Sequence, residues 1–225
     1  LICLFECYLG CELEYFYSGF YGCFKDGVLK LENRSLDNLY IALIHHPVSN
    51  KKGSTIASAL TTIDMHDIAR AAMTFGVRGF YVVTPLMDQQ VLAHEVVDHW
   101  TDGIGGELNP FRKRALELIR VVSTFEDALE EIKADRNRPV VTVATSAAKH
   151  DNTITAAQFA EKLNGDASHV IAFGTAWGMS REFISNCDSI MEPVQGISGY
   201  NHLSVRSAVS IILDRICRHM PCNEI

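Results

Sequence analysis

No stretch of this 225-residue chain approaches eighteen consecutive uncharged apolar residues, so no helical membrane span is expected. An excess of basic charge is missing too: 20 Lys and Arg stand against 27 Asp and Glu, a formal net charge of −7. That excludes a protein that coats nucleic acid through bulk charge, though not an enzyme with a local basic patch that touches RNA briefly. Cysteine is absent from the long middle. Cys3, Cys7, Cys11 and Cys23 crowd the start, and Cys187, Cys217 and Cys222 lie near the end. The number is odd, and the first three spacings fit no paired C-x-x-C zinc pattern, so free thiols in a reducing cytosol are expected.

Several familiar chemistries are missing as well. His94 and His99 are five residues apart, which puts their rings roughly 140° apart on a helix, so they cannot share a metal as zinc-protease histidines do. Lys51-Lys52-Gly53-Ser54-Thr55 lacks the first glycine and the Gly-Lys order of a phosphate-binding loop. Gly103-Ile104-Gly105-Gly106 follows a helical pattern instead of a strand, so it is no dinucleotide fingerprint. There is no G-x-S-x-G elbow. No metal site is expected.

Residues 1–37 have neither the basic start nor the cleavage site of a secretory signal. Tyr15, Phe16, Tyr17, Phe20, Tyr21 and Phe24 recur there without period, and the chain opens on Leu1. The expectation is a non-native or truncated leader outside the fold, with one domain spanning 38–219.

From Leu39 onward the pattern is regular. Strands are predicted over 39–44, 79–83, 119–122, 140–144, 169–173 and 189–191. Helices are predicted over 63–75 with Gly76 just past the end, 88–100, 111–118, 124–134, 156–163, a short one from Ser180, and 204–219. Asn109-Pro110 reads as an N-cap followed by proline at the first helical position. Ser123-x-x-Glu126 and Thr155-x-x-Gln158 read as capping boxes. Strands alternating with helices mean an α/β fold, a parallel sheet with helices on both faces.

Three loops at the ends of late strands are small, polar and glycine-containing: Ala144-Thr145-Ser146-Ala147, Phe173-Gly174-Thr175-Ala176-Trp177-Gly178, and Met191 to Gly196 continuing through Tyr200-Asn201-His202-Leu203-Ser204. Ligands bind beyond the carboxyl ends of parallel strands, and such loops let backbone groups come close to one. Trp177 could stack on a base or adenine, with core filling the favoured role. Asn201 and His202 lead into an apolar helix and are expected to cap it. His45 and His46 close the first strand and could face substrate or solvent. Arg112-Lys113-Arg114 with Lys51-Lys52 could form an RNA patch, although exposed helix charges are commoner.

Taken in order, these stretches resemble the SPOUT superfamily of α/β-knot methyltransferases. The likeness is strongest to predicted RNA methyltransferases sometimes fused to tRNA (guanine-N1)-methyltransferase. The matching segments are His45-His46-Pro47-Val48, Asp64-Met65-His66-Asp67-Ile68-Ala69-Arg70, His99-Trp100, Asn109-Pro110, Phe173 to Gly178, Tyr200 to Ala208 and Leu213-Asp214-Arg215.

The resemblance implies a C-terminal trefoil knot, an exception to the rule that chains do not knot. It also implies a bound S-adenosyl-L-methionine (SAM), with donor contacts at Thr145, Ser146, Gly174, Thr175, Gly178, Met191, Gly196, Asn201, His202 and Leu203. It further implies tRNA or rRNA as substrate, a cytoplasmic setting, and a homodimer built on the last helix through Val205, Val209, Ile212 and Ile216 or the faces beside them. Ribose methyltransferases of the superfamily carry Asn, then Arg six residues on, then Gly six further on. Here that spacing gives Asp64, Arg70 and Gly76, with His66 where glycine is usual. The implied catalytic residues are Arg70, Asp64 and His66. Asp64 in place of Asn is the feature favouring the rival reading, a donor-binding module that regulates or scaffolds without catalysis.

Overall fold

The computed structural model describes residues 20–25, 28–33, 36–151 and 153–220. Two strands, β1 (Phe20–Lys25) and β2 (Val28–Asn33), form an antiparallel pair where no period was legible. The next elements are β3 (Leu36–Ile44), the short antiparallel pair β4 (Val48–Ser49) and β5 (Thr55–Ile56), α1 (Thr62–Thr74), β6 (Val77–Val83) and α2 (Met87–Thr101). Then come α3 (Ile104–Leu108), α4 (Pro110–Leu116), β7 (Ile119–Val122), α5 (Phe125–Arg136), β8 (Val140–Thr145) and β9 (Thr153–Ile154). The chain continues through α6 (Ala156–Lys162), β10 (Ser168–Gly174), α7 (Arg181–Ser185), β11 (Ser189–Met191) and α8 (Val205–His219).

Seven strands form one sheet in the order β7-β6-β3-β10-β8-β11-β9, and every pairing in it is parallel. The chain builds outward from β3 through β6 to β7, then crosses to the other side with β8 and β10. The order therefore reverses between β3 and β10, where a parallel sheet leaves a crevice beyond its strand ends.

Both faces of the sheet are covered, so its central strands are apolar throughout instead of alternating with polar residues. Leu39, Ile41 and Leu43 of β3 join Phe80, Val82, Ile171 and Phe173 in a core closed by α1, α2, α4, α6 and α8. Tyr40, Ala42 and Ile44 join Tyr81, Val83, Val170 and Ala172 in a second core under α5 and α7. Asp135 ties α5 to the sheet: it accepts a hydrogen bond from the Tyr40 hydroxyl and pairs with Arg78 at 2.7 Å.

Local sequence explains most element ends. Asn109 Oδ1 accepts from the backbone N–H of Arg112 at 3.0 Å, as its predicted capping role requires. Thr155 and Gln158 form the predicted capping box. The box before α5 lies one residue later than predicted: Thr124, with Asp127 as its partner, replaces Ser123 with Glu126. Gly76 takes the left-handed φ of +71° just past α1.

Two further expectations change. β3 begins at Leu36, which is buried in the core although it lies before the expected start at 38. Val209, Ile212 and Ile216 do not form an outer face of α8. They pack with Leu213 against the sheet and α1, within the chain's own core. Cys187 is a free thiol that burial pushes up to about 11, and Cys217 is buried on α8. The side chains of Cys3, Cys7, Cys11, Cys23 and Cys222 lie outside those described. Among the described residues no helix is long and apolar enough to cross a membrane, and no His, Cys, Asp and Glu cluster could hold a metal ion.

Candidate active site

At the β3–β10 crevice the three predicted loops meet around a cleft of about 860 Å³. Each loop is held by named bonds. Thr145 Oγ1 donates to the Ala172 carbonyl at 2.9 Å, which fixes the end of β8 against β10. The β10 loop is stitched to the segment after β3: Trp177 N–H donates to the Ser49 carbonyl (3.2 Å), Ser49 N–H to Gly178 (2.8 Å), and Ser180 N–H to Pro47 (3.1 Å). The third loop reaches the first through Asn201 Nδ2, which donates to the Ala147 carbonyl at 2.9 Å.

The β10 loop is too tight for side chains at its start. A Cβ on Gly174 would sit 2.7 Å from the Met179 backbone nitrogen and 2.9 Å from its Cγ. Ala176 takes a φ of +52°, which non-glycine residues adopt rarely and mostly where the surroundings impose it.

Of the implied donor contacts, Thr145, Ser146, Gly174, Thr175, Gly178, Asn201, His202 and Leu203 line this cleft. Met191 is buried beneath it, and Gly196 lies exposed on the third loop beyond the lining residues Glu192, Pro193 and Val194. Trp177 is 65% exposed on the rim, so it does not fill the core. Ser204 is the N-cap of α8, accepting from Ser207 N–H, which leaves Asn201 to join loops and His202 to face the cleft.

The implied catalytic residues do not converge within one chain. Asp64 lines the cleft. Its carboxylate accepts from Thr61 Oγ1 and pairs with Arg206 Nη1 at 2.9 Å. Arg206 also meets Asp67 at 3.5 Å. Aspartate at this position is therefore answered by a charge from the start of α8. Arg70 opens instead onto a separate groove of about 650 Å³ between α1 and α8, shared with Phe75, Arg206, Ser210 and Ile211. His66 turns to Trp100, edge-on at 5.6 Å between ring centres.

A polar chain behind the cleft escaped the sequence reading. Thr175 Oγ1 donates to the Ile44 carbonyl at 3.0 Å and shares a short hydrogen bond with Ser58 Oγ, which also lies 3.4 Å from the His45 carbonyl. His45 Nδ1 is hydrogen-bonded to the same Ser58 hydroxyl at 3.0 Å. His45 Nε2 is buried without a hydrogen-bond partner among the described residues. Desolvation lowers the His45 pKa to about 4 despite the nearby Asp64 charge, so the imidazole is neutral. His46 is exposed. Ser58, Ala59 and Thr61 come from an irregular segment with no motif to mark it. His45 had one available signal: it continues the odd-numbered parity of β3, on the face of Leu39, Ile41 and Leu43, toward α1.

Comparison with known families decides the assignment. A family model described as SAM-dependent RNA methyltransferase matches residues 38–218. The chain belongs to this family. A protein of Oleidesulfovibrio alaskensis named tRNA (guanine-N(1)-)-methyltransferase is 41% identical over 179 residues, covering 80% of this chain and 42% of that protein. This chain thus spans less than half of that relative. An uncharacterised protein of Aquifex aeolicus is 34% identical over 188 residues, 83% of this chain and 92% of that one. In architecture the family member resembles the SpoU methyltransferase AviRb of Streptomyces viridochromogenes. The TM-score is 0.52 at 16% identity, over 82% of this chain and 60% of the other.

Proposed function

We propose that this chain transfers a methyl group from SAM to RNA, with tRNA as the RNA class, and that the three-loop cleft holds the donor. The carrying observation is the cleft itself: three strand-end loops bonded to one another around about 860 Å³, within the range of small-molecule sites. Glycine at 174 lets the β10 loop fold back on its own Met179, which shapes the cleft wall. Thr145, Ser146, Gly174, Thr175, Gly178, Asn201, His202 and Leu203 hold the donor in this reading, with Met191 and Gly196 supporting the third loop. The C-terminal knot implied by the resemblance belongs to the same proposal.

Bound SAM supplies an electrophilic methyl group. The chain's own residues must align the RNA nucleophile, exclude water and ease loss of its proton. Asp64 and Glu192 are the acidic groups lining the cleft, and Arg206 holds Asp64 in place. His66 acts outside the cleft. Arg70 belongs to the α1–α8 groove, across which two copies join as a homodimer in a cytoplasmic setting. The unit responsible starts at Leu36 and runs to His219. The guanine position in the relative's name belongs to a longer protein of which this chain matches 42%, and it is not carried over.

Labelled SAM incubated with total tRNA tests the reading. Label enters tRNA with the wild-type chain. Gly174→Val loses at least about tenfold in SAM affinity by calorimetry, and transfer falls with it, because the added Cβ meets backbone instead of a movable side chain. SAM binding without any transfer to tRNA overturns the catalytic assignment, and undiminished SAM binding by Gly174→Val overturns the site.

A further inference from the structure

Several motifs remain unused by the cleft: His66, His99-Trp100, the glycines after it, and the run Phe111-Arg112-Lys113-Arg114. The structure brings them together on α1, α2, α3 and α4. The Arg112 guanidinium lies over the Trp100 ring, 4.6 Å from its centre. His66 and His99 each meet the same ring edge-on, at 5.6 and 5.2 Å. Asn109, capping α4, sets the backbone from which Arg112 projects.

The glycine run explains itself here. A Cβ on Gly105 would lie 2.8 Å from His99 Nε2 and 2.9 Å from the Trp100 ring. One on Gly106 would lie 2.4 Å from the Trp100 carbonyl oxygen. Glycine at both positions lets α3 close against Trp100 and fix its ring.

The cluster is organised but electrically incomplete. Arg112 Nε and His66 Nδ1 are buried with no hydrogen-bond partner among the described residues. Among those residues, no carboxylate forms an ion pair with Arg112, Lys113 or Arg114. In a chain of net charge −7, an uncompensated cationic turn is a local exception. Phe111 stands beside it, 63% exposed, so one exposed ring adjoins the cations, while half-buried Trp100 backs Arg112. That arrangement suits a polyanion carrying bases: cations meet phosphates, and the exposed ring takes a base. An acidic protein would use the charges but not the ring.

We propose that Arg112, Trp100 and Phe111, with Lys113 and Arg114, form an RNA-binding surface separate from the donor cleft, in which Arg112 contacts a phosphate while stacked on Trp100. This rests on the reading of the chain as an RNA methyltransferase. His66 and the glycines are positioning residues for the Trp100 ring.

Filter binding of total tRNA across a salt series tests it on the full chain, beside calorimetry with SAM. Arg112→Ala weakens tRNA binding roughly tenfold and lowers the slope of log affinity against log salt by about one, while SAM affinity is unchanged. Arg112→Lys keeps the fold and the salt slope but recovers only part of the affinity, since lysine lacks the planar stack. Wild-type tRNA affinity and salt slope in Arg112→Ala overturn the surface while methyl transfer to tRNA continues. A change in molecular mass with tRNA affinity intact assigns this face to a second copy and also overturns it. If the wild-type chain neither binds nor methylates tRNA, the functional reading falls along with the surface.

Discussion

His45 shows how a residue can be prominent in sequence and still have its role set by three-dimensional closure. The pair His45-His46 ends β3, and only folding of the following segment back through Ser58 decides that His45 is buried and His46 exposed. Burial of the imidazole has a measurable consequence. The folded chain resists protonation down to about pH 4, whereas the unfolded imidazole takes a proton near 6.5. Above 6.5 both states are neutral and His45 leaves stability independent of pH. As pH falls from 6.5 toward 4, the unfolded state gains a proton that the fold refuses. His45 therefore contributes stability that is present above 6.5 and lost as pH falls through about 4, up to about 3 kcal/mol. His45→Asn, which keeps a polar atom toward Ser58, should flatten the pH dependence of the denaturation midpoint between pH 6.5 and 4. An identical slope in both proteins would show that His45 does not titrate as its burial requires. At this scale the three loops that line the cleft were legible as loops, because glycine and small polar residues straight after apolar strands mark a turn at the sheet edge. Ser58 and Thr61 were not, since single hydroxyl residues in an irregular segment carry no period.

Element boundaries were legible wherever a cap or a period fixed them. β7 and β11 fall where predicted, α6 carries its capping box, and α8 starts one residue inside its predicted range. α3 and the β4–β5 pair escaped because two- and five-residue elements are too short to show a period. α8 itself shows the limit of periodicity. Val209, Ile212, Leu213, Ile216 and Cys217 lie on one face, and that spacing predicts a buried stripe without saying what buries it. The answer is the chain's own sheet, α1 and α6. Ile216→Ala should therefore cost about 2–5 kcal/mol through the lost burial and the cavity left behind. The loss, read as a shift in denaturant midpoint, should be the same at low and high protein concentration. A loss that grows on dilution would place Ile216 between copies after all.

For the whole molecule, the parallel sheet with two covered faces followed from the alternation of elements, but the strand order did not. Which of β3, β6, β8 and β10 are neighbours depends on crossovers that leave no local mark, and the cleft exists because β3 and β10 are adjacent. Assembly is undetermined in the same way. With the apolar stripe of α8 spent inside the chain, the homodimer proposed above is assigned to the groove where Ala71, Thr74 and Phe75 of α1 face Ser207, Ser210 and Ile211 of α8. Asp67 and the two arginines Arg70 and Arg206 stand in the same groove, and Arg70 has no carboxylate partner among the described residues. A two-fold contact brings each patch against its own copy, so a groove carrying both signs of charge around apolar residues can complement itself. Light scattering at micromolar concentration should report twice the 25.0 kDa of the chain. Ile211→Arg adds a third positive charge to the groove without touching the buried stripe, and it should halve the mass while leaving the denaturant midpoint measured on the monomer unchanged. A wild-type monomer, or an Ile211→Arg dimer, would remove this groove as the interface.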